Sequence, residues 1–143
     1  MARFRLQRVL EIRKVIEKEK EKDLSLARIT LQREKQILQA LQGRKNAFAQ
    51  EMNQATRTNV QHIVERHLYL NTLLSAIDEQ CNVITAVKQQ VETKRQHLLQ
   101  ATQDKKVLEK LQEKKEREFL KNQERQEQGF LDELARSKSS RSV

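Results

Sequence analysis

The chain contains no proline and only two glycines in 143 residues, and this shortage of helix breakers limits its possible folds more than any other feature. Proline and glycine supply most of the backbone conformations that turns require. Turns must therefore be few and must be made by weaker residues. The sequence predicts long helices with one reversal between them.

The best candidate for the reversal is the stretch 53–59, NQATRTN. Its threonines and asparagines are poor helix formers, because their side chains compete for nearby backbone groups. Thr58 and Gln61 also fit the S/T-x-x-E/Q capping box, which begins a helix by satisfying two unpaired N–H groups. We therefore predict a turn at residues 54–58.

The composition favours a coiled coil over a globular domain. Charged residues make up 34% of the chain and aromatic residues 3%, so large apolar side chains can fill a narrow seam but not a broad core. Abundant Glu, Lys, Arg, Gln, Leu and Ala are typical of coiled coils and long helices. Intrinsic disorder has a similar composition, and the periodicity of the apolar residues decides between the two.

Apolar residues in the first predicted helix, residues 3–54, recur in steps of three and four. The alternating charges of residues 17–22 interrupt the pattern and are typical of a solvated face. From residue 24 a seven-residue register holds, broken at Glu34 and Lys45. The apolar positions are Leu6, Val9 or Leu10, Leu24, Ala27, Leu31, Leu38, Leu41, Phe48, Met52 and Ala55.

Gly43 leaves open a different turn, at residues 42–46. A glycine inside a helix costs about 1 kcal/mol relative to alanine. Because Phe48 and Met52 continue the same register beyond it, we predict that the helix runs through Gly43.

The second predicted helix, residues 59–136, has a stronger seam. Steps of four and three residues persist over several heptads, which is the coiled-coil pattern and argues against disorder. We predict an all-α fold, a long two-helix antiparallel coiled-coil hairpin formed by residues 1–136, with a flexible basic tail at 137–143. The predicted seam is Ile63, Leu70, Leu74, Ile77, Cys81, Ile84, Val91 and Leu98, flanked by Leu73, Val87, Ala101 and Leu108.

The two predicted helices differ in length, so one must extend beyond the other. At 1.5 Å per residue the first spans roughly 75 Å and the second more than about 110 Å. Residues 112–136 would then form an overhang without a partner helix, exposing the apolar pairs Phe119-Leu120 and Phe130-Leu131. Because an isolated charged helix is marginally stable in water, we expect the overhang to bind another protein.

The net charge of +9 is concentrated at the two ends of the chain. Residues 1–14 contain five basic residues and one acidic residue, and residues 136–143 contain three basic residues and no acidic one. A nucleic-acid-binding protein would need excess positive charge along a face, and aromatic residues for base stacking. Neither is evident, so nucleic-acid binding is disfavoured.

The single cysteine excludes an intramolecular disulfide and fits a reducing compartment. No apolar run approaches the roughly 18 residues of a membrane span. The arginine-rich start resembles a transit peptide, but it lacks serine and continues into acidic helix, so we interpret it as part of the mature protein. We expect a cytoplasmic location.

The sequence offers no set of residues for catalysis, a metal or a cofactor. His62 and His67 are five residues apart and diverge around a helix, and His97 lies far along the chain. Cys81 falls on the predicted seam without a base beside it. A two-helix rod has no concave pocket that could shift the pKa of a carboxylate. We therefore expect no enzymatic activity, no metal and no cofactor.

Both ends of the chain resemble the flagellar FliJ family. Residues 4–13, FRLQRVLEIR, match the F-x-L-x-x-V-L-x-x-R pattern of its start, and residues 127–135, EQGFLDELA, are similar to its E-x-x-x-L-D-E-x-A ending. Gly129 departs from the lysine that is common in the family, which questions the regularity of that helical stretch. Length, charge and the absence of proline also agree, so the resemblance covers essentially the whole chain.

The resemblance implies a stalk in the flagellar type III export apparatus. FliJ proteins are cytoplasmic two-helix coiled coils whose joined ends insert into the ring of the export ATPase. The family promotes ring assembly and ATP hydrolysis, contacts the export gate in the inner membrane and is linked to export chaperones. A free hairpin of this kind is expected to be monomeric.

The resemblance also assigns two sets of contact residues. The gate surface lies on both helices towards the turn, and ordinary seam packing is the alternative role for its members. The ATPase-facing residues are Phe4, Arg5, Arg8, Arg13, Leu131, Asp132 and Glu133, and the gate-facing residues are Ile37, Leu41, Phe48, Leu70, Leu74, Ile77 and Cys81.

Two other functions remain open at this point. The homologous stalk of a virulence type III secretion system is scarcely separable from a flagellar one by sequence. A generic homodimeric coiled-coil scaffold would use the same heptads between two chains. Mass in dilute solution separates a monomeric hairpin from such a dimer.

Overall fold

A computed structural model describes residues 5–54 and 59–141, with backbone only for Arg141. Within these ranges the chain forms helix α1, Gln7–Gln54, and helix α2, Val60–Arg141. The helices pack against each other as an all-α antiparallel coiled-coil hairpin, and this fold confirms the prediction. Apart from Gln54, the last residue of α1, the predicted turn lies outside the described residues.

The hairpin comprises two compact units. The terminal unit contains α1 up to Lys18 and α2 from Gln100 onwards. The central unit contains Glu19–Leu99. The division into one domain at 1–136 and a tail at 137–143 stays a prediction, and α2 is helical through Arg141.

In the central unit, two contacts fix the antiparallel alignment. The side-chain amide of Gln80 donates to the backbone carbonyl of Glu34 at 2.9 Å and to its carboxylate at 2.6 Å. Nearer the turn, the rings of Phe48 and Tyr69 meet edge to face with centroids 4.9 Å apart. The buried core of this unit consists of Leu24, Leu73, Ile84 and Val87.

In α2, the predicted and observed seams share alternate residues and differ at the residues between them. The prediction took Leu74 and Cys81 as seam residues, but both are exposed, as is Ile63. Leu73 is 5% exposed whereas Leu74 is 37% exposed. The seam positions of α2 in this unit are buried or half-buried and step by four and three as Leu70, Leu73, Ile77, Gln80, Ile84, Val87, Val91, Lys94 and Leu98, with Ala76 and Glu92 half-buried beside them.

The predicted register failed at Cys81 because a polar residue, Gln80, occupies the seam there, and at Leu74 because the adjacent Leu73 is equally apolar. Gln80 and Lys94 lie at positions that a coiled coil usually fills with apolar residues. An apolar pattern search therefore moves to the neighbouring Cys81. Leu70, Ile77, Ile84, Val91 and Leu98, which recur every seven residues, belong to both the predicted and the observed seam.

In the terminal unit, the core is small. Leu10 is 1% exposed, and Ala101 is also buried. Gln112 donates a 2.9 Å hydrogen bond to Gln7, the first residue of α1. This contact marks the point where the two helices stop pairing.

The charged run at residues 17–22 is not wholly a solvated face, which corrects the prediction. Glu17 and Lys20 are half-buried, three residues apart, and continue the seven-residue spacing of α1. Their long side chains can cover the seam with methylene groups while the charged ends reach polar partners. The register of α1 is therefore carried through the charged run rather than interrupted by it.

Asn59 caps the start of α2. Its side-chain Oδ1 accepts a 2.9 Å hydrogen bond from the backbone N–H of His62, as an N-cap residue does. Because the cap is at Asn59, α2 begins at Val60. Thr58, which the sequence nominated as the cap, lies outside the described residues.

Both glycines lie inside helices. α1 continues through Gly43, so the alternative turn at 42–46 does not occur. α2 likewise continues through Gly129 without a break. Over residues 5–54 and 59–141, neither helix contains a segment long and apolar enough to cross a membrane.

Candidate partner-binding segment

Beyond Gln112, α2 continues without α1 beside it. We call residues 113–140 the projecting segment. Every side chain in it is exposed. Its start is one residue later than the predicted start of the overhang. At 1.5 Å per residue the segment is about 42 Å long.

The projecting segment exposes large apolar side chains that water does not favour. Phe130 is 62% and Leu131 57% exposed, and these adjacent side chains form a contiguous apolar patch of the kind that marks binding sites. The complete set is Phe119, Leu120, Phe130, Leu131 and Leu134. These are the side chains on which binding of another protein would most readily depend.

Polar contacts hold α2 against α1 shortly before the projecting segment begins. Lys105 donates a 2.9 Å hydrogen bond to Oε1 of Glu17, with side-chain exposures of 20% and 13%. Arg13 pairs with Asp104 at 3.5 Å one turn away. These contacts hold α2 against α1 just before the point where α2 continues alone.

The carboxylate of Glu17 is held in its ionised form. The hydrogen bond from Lys105 lowers the pKa of Glu17 below its ordinary value of 4.5, against a smaller opposing effect of burial. Thr102 adds a further lowering. Its second oxygen, Oε2, is buried and has no hydrogen-bond partner within the described part of the chain. Lys105 therefore carries most of the stabilisation of this charge.

The predicted ATPase-facing residues have different environments. Arg5 and Arg8 are exposed near the start of α1, whereas Arg13 is tied to Asp104. Leu131, Asp132 and Glu133 are exposed in the projecting segment, and Asp132 accepts a 3.4 Å hydrogen bond from Gln128. Three consecutive helical residues point in different directions, so these three do not share one face. Phe4 lies outside the described residues.

The predicted gate-facing residues lie in the central unit and fall into two groups. Ile37, Leu74 and Cys81 are exposed and available to a partner. The half-buried members are Leu41, Phe48, Leu70 and Ile77. The alignment fixed by Glu34–Gln80 and Phe48–Tyr69 places Leu41 level with residues 73–76 of α2.

Tyr69 was missed by the sequence analysis. Its ring lies against Phe48 and remains 47% exposed, so it extends the apolar surface near the turn. Aromatic residues are scarce in this chain, and the single tyrosine beside Leu70 was the available signal.

The histidines and carboxylates show no chelating arrangement where the structure describes them. His62 lies 3.8 Å from Glu65 on the same exposed helix face. Between residues 5–54 and 59–141 no three His, Cys, Asp or Glu side chains are grouped to hold a metal ion.

A family model described as "Flagellar FliJ protein" matches residues 1–143, the whole chain. The chain belongs to the FliJ family. Membership of the FliJ family makes it a component of flagellar type III export and protein transport. The FliJ family is a non-catalytic part of that apparatus. Comparison with curated proteins found no match, and comparison with solved structures found none either.

Proposed function

We propose that this FliJ-family chain is the stalk of the flagellar export ATPase. Its terminal unit inserts into the ATPase ring, promotes ring assembly and raises the rate of ATP hydrolysis. The observation that supports this most is the exposed projecting segment at the end of the paired helices. Two paired helices that continue as one unpaired helix suit a stalk whose end enters the pore of the ATPase ring.

The ATPase contacts are proposed at both chain ends. The basic start of α1 supplies Arg5 and Arg8, which are exposed, and Arg13, which also pairs with Asp104. The projecting segment supplies Leu131, Asp132 and Glu133, and Phe4 completes the set. The chain itself is proposed to have no catalytic activity and no cofactor.

The proposal is tested by ATP hydrolysis of the same organism's flagellar export ATPase, with and without the intact chain. A variant cut after Gln112 lacks the whole projecting segment, and a matched control cut after Arg136 retains most of it. Stimulation by the intact chain and the control, but not by the shorter variant, supports the stalk. No stimulation by the intact chain of an ATPase that forms rings overturns it.

The central unit is proposed to contact the export gate and, through it, the inner membrane at the flagellar base. The exposed Ile37, Leu74 and Cys81 would bind first, with Leu41, Phe48, Leu70 and Ile77 supporting them. Leu74→Asp with Cys81→Asp should weaken binding to the soluble domain of the gate protein. Val83→Asp, at an exposed position elsewhere on α2, is the control, and equal binding by both variants argues against this surface.

The free chain is proposed to be a cytoplasmic monomer that also meets export chaperones. The buried core residues of α1, Leu10 and Leu24, pack within one chain, as in a monomeric hairpin. Sedimentation equilibrium at micromolar concentration should give the mass of one 16.9 kDa chain. A dimer mass would instead favour the scaffold function.

A further inference from the structure

The projecting segment carries a repeated unit that the rest of α2 lacks. Glu-x-x-Phe-Leu occurs at residues 116–120 and again at 127–131, eleven residues later. Eleven residues make about three helical turns and advance about 16.5 Å, so both units lie on nearly the same face. All of their apolar side chains are exposed.

The repeat length distinguishes the projecting segment from the paired part of α2. The paired part follows a seven-residue repeat, which suits a left-handed coiled coil. An eleven-residue repeat does not wind in that sense. The projecting segment is therefore not suited to pair with another helix in the way that α2 pairs with α1.

Charged residues are unevenly distributed around the helix of the projecting segment. Acidic and apolar side chains share a row with steps of three and four, which we call the acidic-apolar face. A second row, about 100° around the helix, is mainly basic, with Lys114, Arg117, Lys121 and Arg125, and also contains Glu118 and Asp132. The acidic-apolar face consists of Glu113, Glu116, Leu120, Glu124, Glu127, Leu131 and Leu134, with Phe119 and Phe130 along its edge.

The side chains of the acidic-apolar face indicate which kind of protein surface can bind to it. Two copies of this face brought together would oppose glutamates to glutamates, which is unfavourable in a partly desolvated interface. A second copy of the chain is therefore a poor occupant. The complementary surface is apolar and carries lysine or arginine beside each apolar pocket.

We propose that the projecting segment binds one partner protein through two equivalent subsites about 16.5 Å apart. Phe119 with Leu120 fills the first apolar pocket, and Phe130 with Leu131 fills the second. Glu116 and Glu127 pair with a basic side chain at the edge of each pocket. This inference rests on the proposed function, which supplies the export ATPase as the partner to test.

The test measures binding of the chain to the flagellar export ATPase of the same organism. A dye on Cys81, the only cysteine and an exposed one, reports binding by fluorescence anisotropy. Phe119→Ala with Leu120→Ala, and separately Phe130→Ala with Leu131→Ala, should each weaken binding roughly tenfold, as loss of buried anchor residues does. Lys121→Ala with Arg125→Ala, both exposed and on the opposite side of the helix from the two Phe-Leu pairs, is the matched control and should bind as the unaltered chain.

The spacing is tested by inserting two alanines between Gln123 and Glu124. The insertion keeps the helix but turns the second unit by about 200° relative to the first. Binding should fall as far as it does when Phe130 and Leu131 are replaced. Equal binding with and without the insertion overturns the two-subsite arrangement.

The outcomes separate this inference from the proposed function. In one outcome, truncation after Gln112 abolishes binding while both double-alanine variants bind within twofold of the unaltered chain. That result supports the stalk function and overturns the two-subsite inference. If the intact chain does not bind the ATPase, the stalk function and the two-subsite inference are both overturned. If the apolar variants instead abolish a dimer seen by sedimentation, the occupant is a second copy and the inference is wrong.

Discussion

Lys105 of α2 donates a 2.9 Å hydrogen bond to Glu17 of α1, and both side chains are largely buried. A charged pair at this depth contributes less to stability than an apolar pair of similar volume, because both charges lose water. It favours the alignment in which Glu17 and Lys105 face each other, since each charge then has an oppositely charged partner across the seam. The pair therefore sets the register of the terminal unit.

The pH dependence of stability should follow Glu17. Its pKa is lowered in the folded chain, so the stabilisation is present above the ordinary value of 4.5 and is lost as the pH falls through the folded value. Glu17→Gln should cost about 1 kcal/mol at pH 7 and flatten the acid limb of a urea-unfolding series. Glu124→Gln, at an exposed position of the unpaired projecting segment, is the control. An unchanged acid limb in Glu17→Gln would contradict the assignment.

A double-mutant cycle should show that the Glu17–Lys105 pair is coupled. Lys105→Met alone leaves the largely buried Glu17 carboxylate without its charged partner, which should cost about 2 kcal/mol or more. Glu17→Met with Lys105→Met should recover most of that loss, because neither charge then remains. Urea midpoints of Glu17→Met, Lys105→Met and the double variant, compared with the unaltered chain, give the coupling free energy. Additive losses would show that the two side chains act independently.

The cap at Asn59 should contribute measurably to stability. Asn59→Ala removes the acceptor for the backbone N–H of His62 and should cost about 1 kcal/mol. Asn59→Ser retains a capping oxygen and should cost much less. Thermal unfolding followed by circular dichroism compares the two. Equal losses in both variants would indicate that the hydrogen bond does not stabilise α2.

The two glycines should respond differently to replacement by alanine. A methyl group at Gly43 or Gly129 meets no atom within 4 Å, and both residues are helical. Gly43→Ala should stabilise the hairpin by about 0.5–1 kcal/mol. Gly129→Ala should raise helix content in the projecting segment while leaving the urea midpoint of the paired helices unchanged. A lower midpoint in either variant would reveal a contact that the structure does not contain.

The sequence predicted the hairpin because its main signals agree. Without proline, and with leucine, isoleucine and valine at heptad spacing, the chain has few alternatives to long helices. The length difference between the helices then followed from the position of the turn alone. The predicted start of the overhang, at residue 112, needed only this arithmetic, and the hydrogen bond between Gln112 and Gln7 places the observed start one residue later.

The sequence could not settle the finer register because neighbouring residues compete for the seam. Leu73 and Leu74 are adjacent and chemically identical, and only the alignment with α1 determines which one is buried. Gln80 enters the seam because it finds two acceptors on Glu34. The heptad pattern of one helix does not reveal a hydrogen bond of this kind to the other helix.

The candidate contacts were harder to predict than the fold. The projecting segment has a repeated Glu-x-x-Phe-Leu unit and a row shared by acidic and apolar side chains. Both features become evident only when residues several turns apart are compared, and not from any single position. Arg13 shows the opposite problem, since a residue assigned to a partner also forms an ion pair within the chain. Sequence alone does not distinguish the two roles.

The hydrogen bond between Gln7 and Gln112 also divides the backbone amides of α2 into two kinetic classes. Amides before residue 112 are shielded by α1 and exchange with deuterium only when the paired helices separate. Those after it belong to a single solvated helix, which opens locally at little cost in free energy. Deuterium uptake along α2 should therefore change abruptly within one or two turns of Gln112, and proteases should cut on the far side of that boundary first.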